Sequence, residues 1–426
     1  MTPNVFAVVN LLVIAFTVIY GLTFARKDYL TNPAYCQHNL TCSLNSEIVI
    51  DQCKASNAFM PFGFSGVVSG AAKVFFAYIG FDSIAAAGEE TVKPQRTIPL
   101  ATLLAMIIVT FAYVMMSLTL TMMVPYCTIV PDSAFATAFK DRGVYWAQYV
   151  VSVGALSGMT TVLFGSLFST PRGVYAMSQD GLLCKFLSYV HPRTRTPIVG
   201  IVIFGVLTAL MGLVFSLKIL VEFVSIGTLM AYSIVACSVI VLRYEPNVAR
   251  YGTKSQLLGI KDIQNKAGQL KARFKFCYPV TKNFKLNYVV SFLIVVIICL
   301  AATINFGSWY SLKWWSILVS VVLFLAFVSC LLFLFVHEQD PISIGFKMPF
   351  VPLFPAFSLL INVILMLRLS GHTWERFAAW LVLGLMIYFG YGMWNSAEGK
   401  LAKQSDEHAK DDIEMTRASK YAVNNS

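Results

Sequence analysis

Residues Phe62–Pro99 read FGFSGVVSGAAKVFFAYIGFDSIAAAGEETVKPQRTIP. Within them, Val67–Ala87 is long and apolar enough to span a bilayer. Gly80-Phe81-Asp82 interrupts this run near its middle and leaves a carboxylate at depth, where an ionisable side chain is costly and reads first as functional. Glycine lets a helix unwind, and unwound carbonyls at that depth are tolerated where they face protein or a cavity rather than lipid. The stretch therefore reads as a broken helix of the kind that builds midplane sites in secondary transporters. The plainer alternative is a kinked helix whose carboxylic acid is satisfied by a neighbour.

Composition points the same way. The chain is 57% hydrophobic and 12% charged, with a mean hydropathy of +0.70; soluble domains carry about twice that charged share. This is the balance of an all-α polytopic membrane protein with short polar connections. About ten stretches meet the span criterion: Val5–Phe24, Val67–Ala87, Ile98–Val124, Ala147–Phe168, Pro197–Leu217, Val224–Leu242, Tyr288–Phe306, Trp315–Val336, Val351–Leu369 and Phe377–Trp394. The first lacks a basic leader and an obvious small-residue cleavage site, so it reads as a retained span rather than a signal peptide. Pro94 and Pro99 are expected to stop the broken helix and restart the next.

Placing the N-terminus in the cytosol puts more than twice as many Lys and Arg residues inside as outside, which favours cytosolic termini at both ends. The basic stretch Arg243–Lys285 falls inside; it reads as a solvated linker, with contact to anionic lipid as the alternative. This distribution accounts for the net charge of +11 without nucleic acid. The loop Arg26–Met60 then lies outside and carries Asn39-Leu40-Thr41, a glycosylation acceptor of use on the lumenal side. Cys36, Cys42 and Cys53 share that loop, enough for one disulfide in an oxidising compartment. Cys127, Cys184, Cys237, Cys277, Cys299 and Cys330 are scattered and read as ordinary thiols. There is no Walker loop, H-E-x-x-H, G-x-S-x-G or C-x-x-C pair, and the histidines are dispersed. No enzyme chemistry, cofactor or metal is expected; transport driven by a solute gradient or by membrane potential remains.

The run GFSG…GAA…FAYIGFD…GEE…PQ…IP resembles the sixth transmembrane helix of the cationic amino acid transporters, within the amino acid–polyamine–organocation superfamily. The similarity continues through PRGVYAMSQDGLL (Pro171–Leu183) and SIGTLMAYSIVACSVIVLRYEP (Ser225–Pro246), and is weaker in the final spans. It implies a partial inverted-repeat, five-plus-five transporter fold. Residues 1–25 correspond to the family's helix 5, 26–60 to an extracellular loop and 61–243 to helices 6–10. Residues 244–287 form a basic cytosolic loop, 288–396 four C-terminal helices and 397–426 a cytosolic tail.

The resemblance also implies a mechanism: alternating access for an amino acid, with cationic substrates (arginine, lysine, ornithine) foremost and neutral amino acids or polyamines as alternatives. The partners are that solute and the lipid bilayer, and the location is the plasma membrane. The carbonyls of Phe76, Ala77 and Ile79 would hold the α-ammonium, and Asp82 would lie near the substrate side chain or hold the break open. Phe76 and Tyr78, with Gly80 and Phe81, would form the gate or cavity wall; ordinary packing is the alternative for each aromatic. Glu89 and Glu90 would lock the inner gate, or merely end a solvated helix. Asn10 stands where proton-coupled relatives carry a lysine; asparagine does not titrate near neutral pH, which implies facilitated transport. An asparagine simply bonding another helix remains open.

Lys73 departs from the family. It sits about two turns, roughly 9 Å, inside the outer end, and on the face opposite Asp82. A fixed cation there would disfavour cationic substrates. The family's first four helices have no counterpart, so the chain reads as lacking them, as a truncated product or a non-transporting subunit, and is expected not to transport at a normal rate.

Overall fold

A computed structural model describes residues 2–31, 60, 63–81, 83–84, 88, 91–130, 133–193, 196–244, 286–306, 314–339, 347–397 and 399. Its main helices are α1 (Thr2–Leu22), α2 (Gly63–Val74), α3 (Pro94–Met123), α4 (Ala134–Asp141), α5 (Tyr145–Gln179), α6 (Ile198–Val214), α7 (Leu217–Tyr244), α8 (Leu286–Phe306), α9 (Trp314–Val336), α10 (Leu353–Leu367) and α11 (Gly371–Ile387). Among the described residues, seven helices are long and apolar enough to cross a membrane, and α6 and α10 are shorter apolar helices. In hydrocarbon every backbone polar group must be met within the segment, so such runs settle as helices. Buried hydroxyls follow the same rule: Thr17 and Thr119 each donate to the carbonyl four residues back, at 2.7 and 2.8 Å.

The stretches expected to span fall on continuous helix to within a few residues at each end, apart from Val67–Ala87, which is interrupted. Two details differ from expectation. Pro94 does open α3, at its first position, but Pro99 lies inside the helix and restarts nothing. The fourth span runs on from Phe168 through Pro171 to Gln179 as one helix. A membrane helix tolerates a proline where neighbouring groups satisfy the freed carbonyl.

The helices pack in two groups. α1 lies against α5 and α3, while α4 and α6 lie against α5. An aromatic cluster of Phe16, Tyr20 and Phe139 seals one end of this group. α7 packs along α10 and α11, and α8 against α9 and α10, around Ile240, Leu293, Ile297, Phe327 and Leu334. The broken helix belongs to this second group: Ala72 is buried with Ile226, Leu229 and Met366. At one end of the molecule the Ala397 amide donates to the Asp180 carbonyl at 2.8 Å, tying the segment after α11 to the end of α5.

Candidate functional site around the broken helix

α2 ends at Val74 and tightens into a 3-10 turn over Phe75–Tyr78. Ile79 is then extended (φ −66°, ψ 134°). Gly80 has φ +125°, a conformation that side-chain-bearing residues rarely adopt. Helical bonding resumes beyond it, where the Ser83 and Ile84 amides donate to the Gly80 and Phe81 carbonyls, each at 3.1 Å. The break expected at Gly80 is therefore present, and the tightening begins five residues earlier.

The unwound carbonyls have identifiable partners. Phe76 accepts from the Ile79 amide at 3.1 Å. Ala77 accepts from the Tyr113 hydroxyl of α3 at 2.8 Å. Gly80 also accepts from the Ser83 hydroxyl. A carbonyl oxygen has two lone pairs, so Phe76 and Ala77 each retain capacity for a further donor, while Gly80, which accepts from both the Ser83 amide and hydroxyl, is filled. Aromatic rings surround the segment: Tyr78 meets Tyr113 edge-on at 5.4 Å, while Tyr232 of α7 meets Phe75 at 6.0 Å and Phe81 at 5.4 Å. Phe76, Ala77 and Gly80 are exposed, and Tyr78, Ile79 and Phe81 are half-buried.

The structure thus brings Phe76, Ala77, Tyr78, Ile79, Gly80 and Phe81 into one unwound segment. Asn10 lies on another seam, where its amide covers Gly158 of α5: a Cβ built there would stand 3.0 Å from Asn10 Nδ2. Asp82, Glu89, Glu90 and Asn39 lie outside the described residues, as do Cys36, Cys42 and Cys53. One cysteine corrects the sequence reading. Cys127, expected to be an ordinary thiol, is disulfide-bonded. Cys184, Cys237, Cys299 and Cys330 are free, so its partner falls outside the described residues. Isolated spacing gave no signal for that pairing.

Two residues missed by sequence reasoning complete the surroundings. Tyr113 is one; its signal was only a lone polar tip in an apolar run. Glu222 is the other, two residues before the expected span at Val224. It accepts from Ser370 Oγ at 2.8 Å and Thr373 Oγ1 at 2.6 Å, at the N-terminus of α11, where a helix favours negative charge. The cations acting on it are Lys218 and Lys73.

An apolar cleft of about 620 Å³ lies between α7, α8, α10 and α11, lined by Met230, Cys237, Ile294, Val363 and Trp374 among others. It offers almost nothing to a carboxylate or an ammonium, so a zwitterion fits the unwound segment better. Among the described residues, no group of His, Cys, Asp and Glu is placed to hold a metal.

The sequence pattern of the amino acid permeases matches residues 2–260, and that of the C-terminus of such permeases matches residues 346–396. Cationic amino acid transporter 4 of Mus musculus is 38% identical over 421 residues, covering 93% of this chain and 63% of the relative. The Homo sapiens protein of that name gives the same identity and coverage. Cationic amino acid transporter 4, vacuolar, of Arabidopsis thaliana is 32% identical over 414 residues, covering 90% of this chain and 68% of the relative. The chain thus spans 63% of the length of the two mammalian relatives. A match over most of its length, on an all-helical multi-pass architecture broken at the expected glycine, makes the chain a member of the amino acid permease family, a family of transporters and not of enzymes.

Proposed function

We propose that the broken segment Phe75–Gly80 is the amino acid site of a protein that works by facilitated alternating access, with cationic amino acids as the preferred class. The observation that carries the reading is the break itself. The helix tightens into a 3-10 turn at Phe75–Tyr78 and stops at extended Ile79, and in our reading the carbonyls of Phe76, Ala77 and Ile79 at this break are acceptors for an α-ammonium. Asp82 follows Phe81 directly in sequence and supplies charge compensation for a cationic side chain. The relatives' names, as cationic amino acid transporters, support the cationic class.

The proposed location is the plasma membrane, with both termini in the cytosol. The outside assignment of the Asn39 loop is supported by the Cys127 disulfide, which follows α3 on the same predicted side and needs an oxidising compartment. Asn10 and the inner-gate pair Glu89 and Glu90 keep their proposed coupling and gating roles.

The test is binding and counterflow of labelled arginine and leucine by the purified chain in liposomes, with Asp82→Asn alongside. Saturable arginine binding that Asp82→Asn weakens far more than leucine binding supports the reading. Equal loss for both solutes makes Asp82 structural, and absence of binding by the wild-type chain defeats the assignment.

A further inference from the structure

We propose that Tyr113 is a positioning residue that ties the unwound segment across the two helix groups and sets the aim of the Ala77 carbonyl toward an α-ammonium. The inference rests on the proposed amino acid site and names a residue outside the broken helix that shapes it. The broken helix packs on α7 and α10, in the second group. Tyr113 belongs to α3, which packs with α1 and α4 in the first. Its hydroxyl donates to Ala77 at 2.8 Å across 36 positions of sequence, and its ring meets Tyr78 edge-on at 5.4 Å with an interplanar angle of 80°. One side chain therefore fixes both a main-chain acceptor and the neighbouring aromatic wall.

The geometry gives this bond a purpose. Beyond Ala77 the chain turns extended at Ile79 and passes through the positive φ of Gly80, so the helical ladder does not hold this stretch in place. An acceptor meant for a substrate ammonium is useful when its direction is fixed beforehand. The phenol takes one lone pair of the Ala77 oxygen and leaves the other. Because α3 stands in the other group, a movement of one group against the other shifts the phenol relative to the carbonyl. The bond thereby couples the site's geometry to the arrangement of the two groups.

The experiment is Tyr113→Phe in lipid nanodiscs, with Tyr149→Phe as a control at an exposed phenol of α5. Two quantities are read: deuterium uptake by peptides covering residues 75–84, and the dissociation constant and site number for labelled arginine. Tyr113→Phe keeps the ring and removes the donor. Faster exchange in that segment, with arginine binding weakened about fivefold at an unchanged site number, supports the proposal. Tyr149→Phe changes neither. Unaltered exchange in Tyr113→Phe overturns the tie whatever the binding result. Faster exchange with an unaltered dissociation constant, or fewer sites at the same constant, overturns the positioning role. Faster exchange in a chain whose wild type binds no amino acid leaves the tie standing and defeats both the positioning role and the proposed transport function.

Discussion

Arg368 joins three helices through one guanidinium. Its Nη1 donates to Ser65 Oγ at 3.0 Å, 303 positions away, and its Nε to Asn305 Oδ1 at 2.5 Å. Asn305 in turn donates to the Ile364 carbonyl at 3.1 Å. Arg368 ends α10, Asn305 lies near the end of α8, and Ser65 is in the first turn of the broken helix. A planar fork reaches two acceptors that a single ammonium does not. Arg368→Lys and Arg368→Gln should each destabilise the protein by about 1–2 kcal/mol, and Ser65→Ala by less. Thermal unfolding in detergent measures this, and a double-mutant cycle between positions 65 and 368 should show coupling. Strict additivity would mean that the bond contributes nothing.

Gly80 should resist substitution for a backbone reason. A Cβ there meets nothing within 4 Å, so space is not the constraint. The φ of +125° is. Gly80→Ala should therefore cost about 1–2 kcal/mol or let the helix run through the break. Substrate binding should fall with it. Wild-type binding and stability in Gly80→Ala would show that the break does not depend on this torsion.

Gly154 governs the seam between α1 and α5. A Cβ at Gly154 would lie 2.3 Å from Val13 Cγ1, closer than atoms allow. Gly154 and Gly158 form the spacing that lets two membrane helices approach closely. Gly154→Ala should lower stability by about 1–3 kcal/mol, and Val13→Ala in the same chain should restore much of it. Failure of the second change to rescue the first would place the damage elsewhere. Asn10 lies along this seam, so the rescued chain also shows whether its placement matters to binding.

Topology is tested by Asn39 and Cys127 together. With the Arg26–Met60 loop outside, Asn39 should carry a glycan in eukaryotic cells, and Asn39→Gln should abolish a glycosidase-sensitive mass shift. Labelling of Cys127 in intact cells should require prior reduction by an impermeant reagent. A glycan-free Asn39, with labelling at Cys127 only after permeabilisation, would invert the orientation. Surface biotinylation distinguishes the plasma membrane from an internal one.

Much of the architecture was legible in the chain itself. Apolar length and glycine placement are local properties, and a bilayer leaves a long apolar run little choice but helix. The spans, the break at Gly80 and the family resemblance follow from residues read one after another. The tertiary structure decided what lies between them. Tyr113 against Ala77, Glu222 against Thr373 and Arg368 against Ser65 are pairings over 36, 151 and 303 positions. In soluble proteins an amphipathic stripe announces the buried face. Here lipid-facing and protein-facing surfaces are both apolar, so periodicity does not tell which side of α3 meets the broken helix. The continuation of α5 through Pro171 and the pairing of Cys127 are of the same kind. Each depends on what the neighbouring helices supply, and that is settled only when they pack.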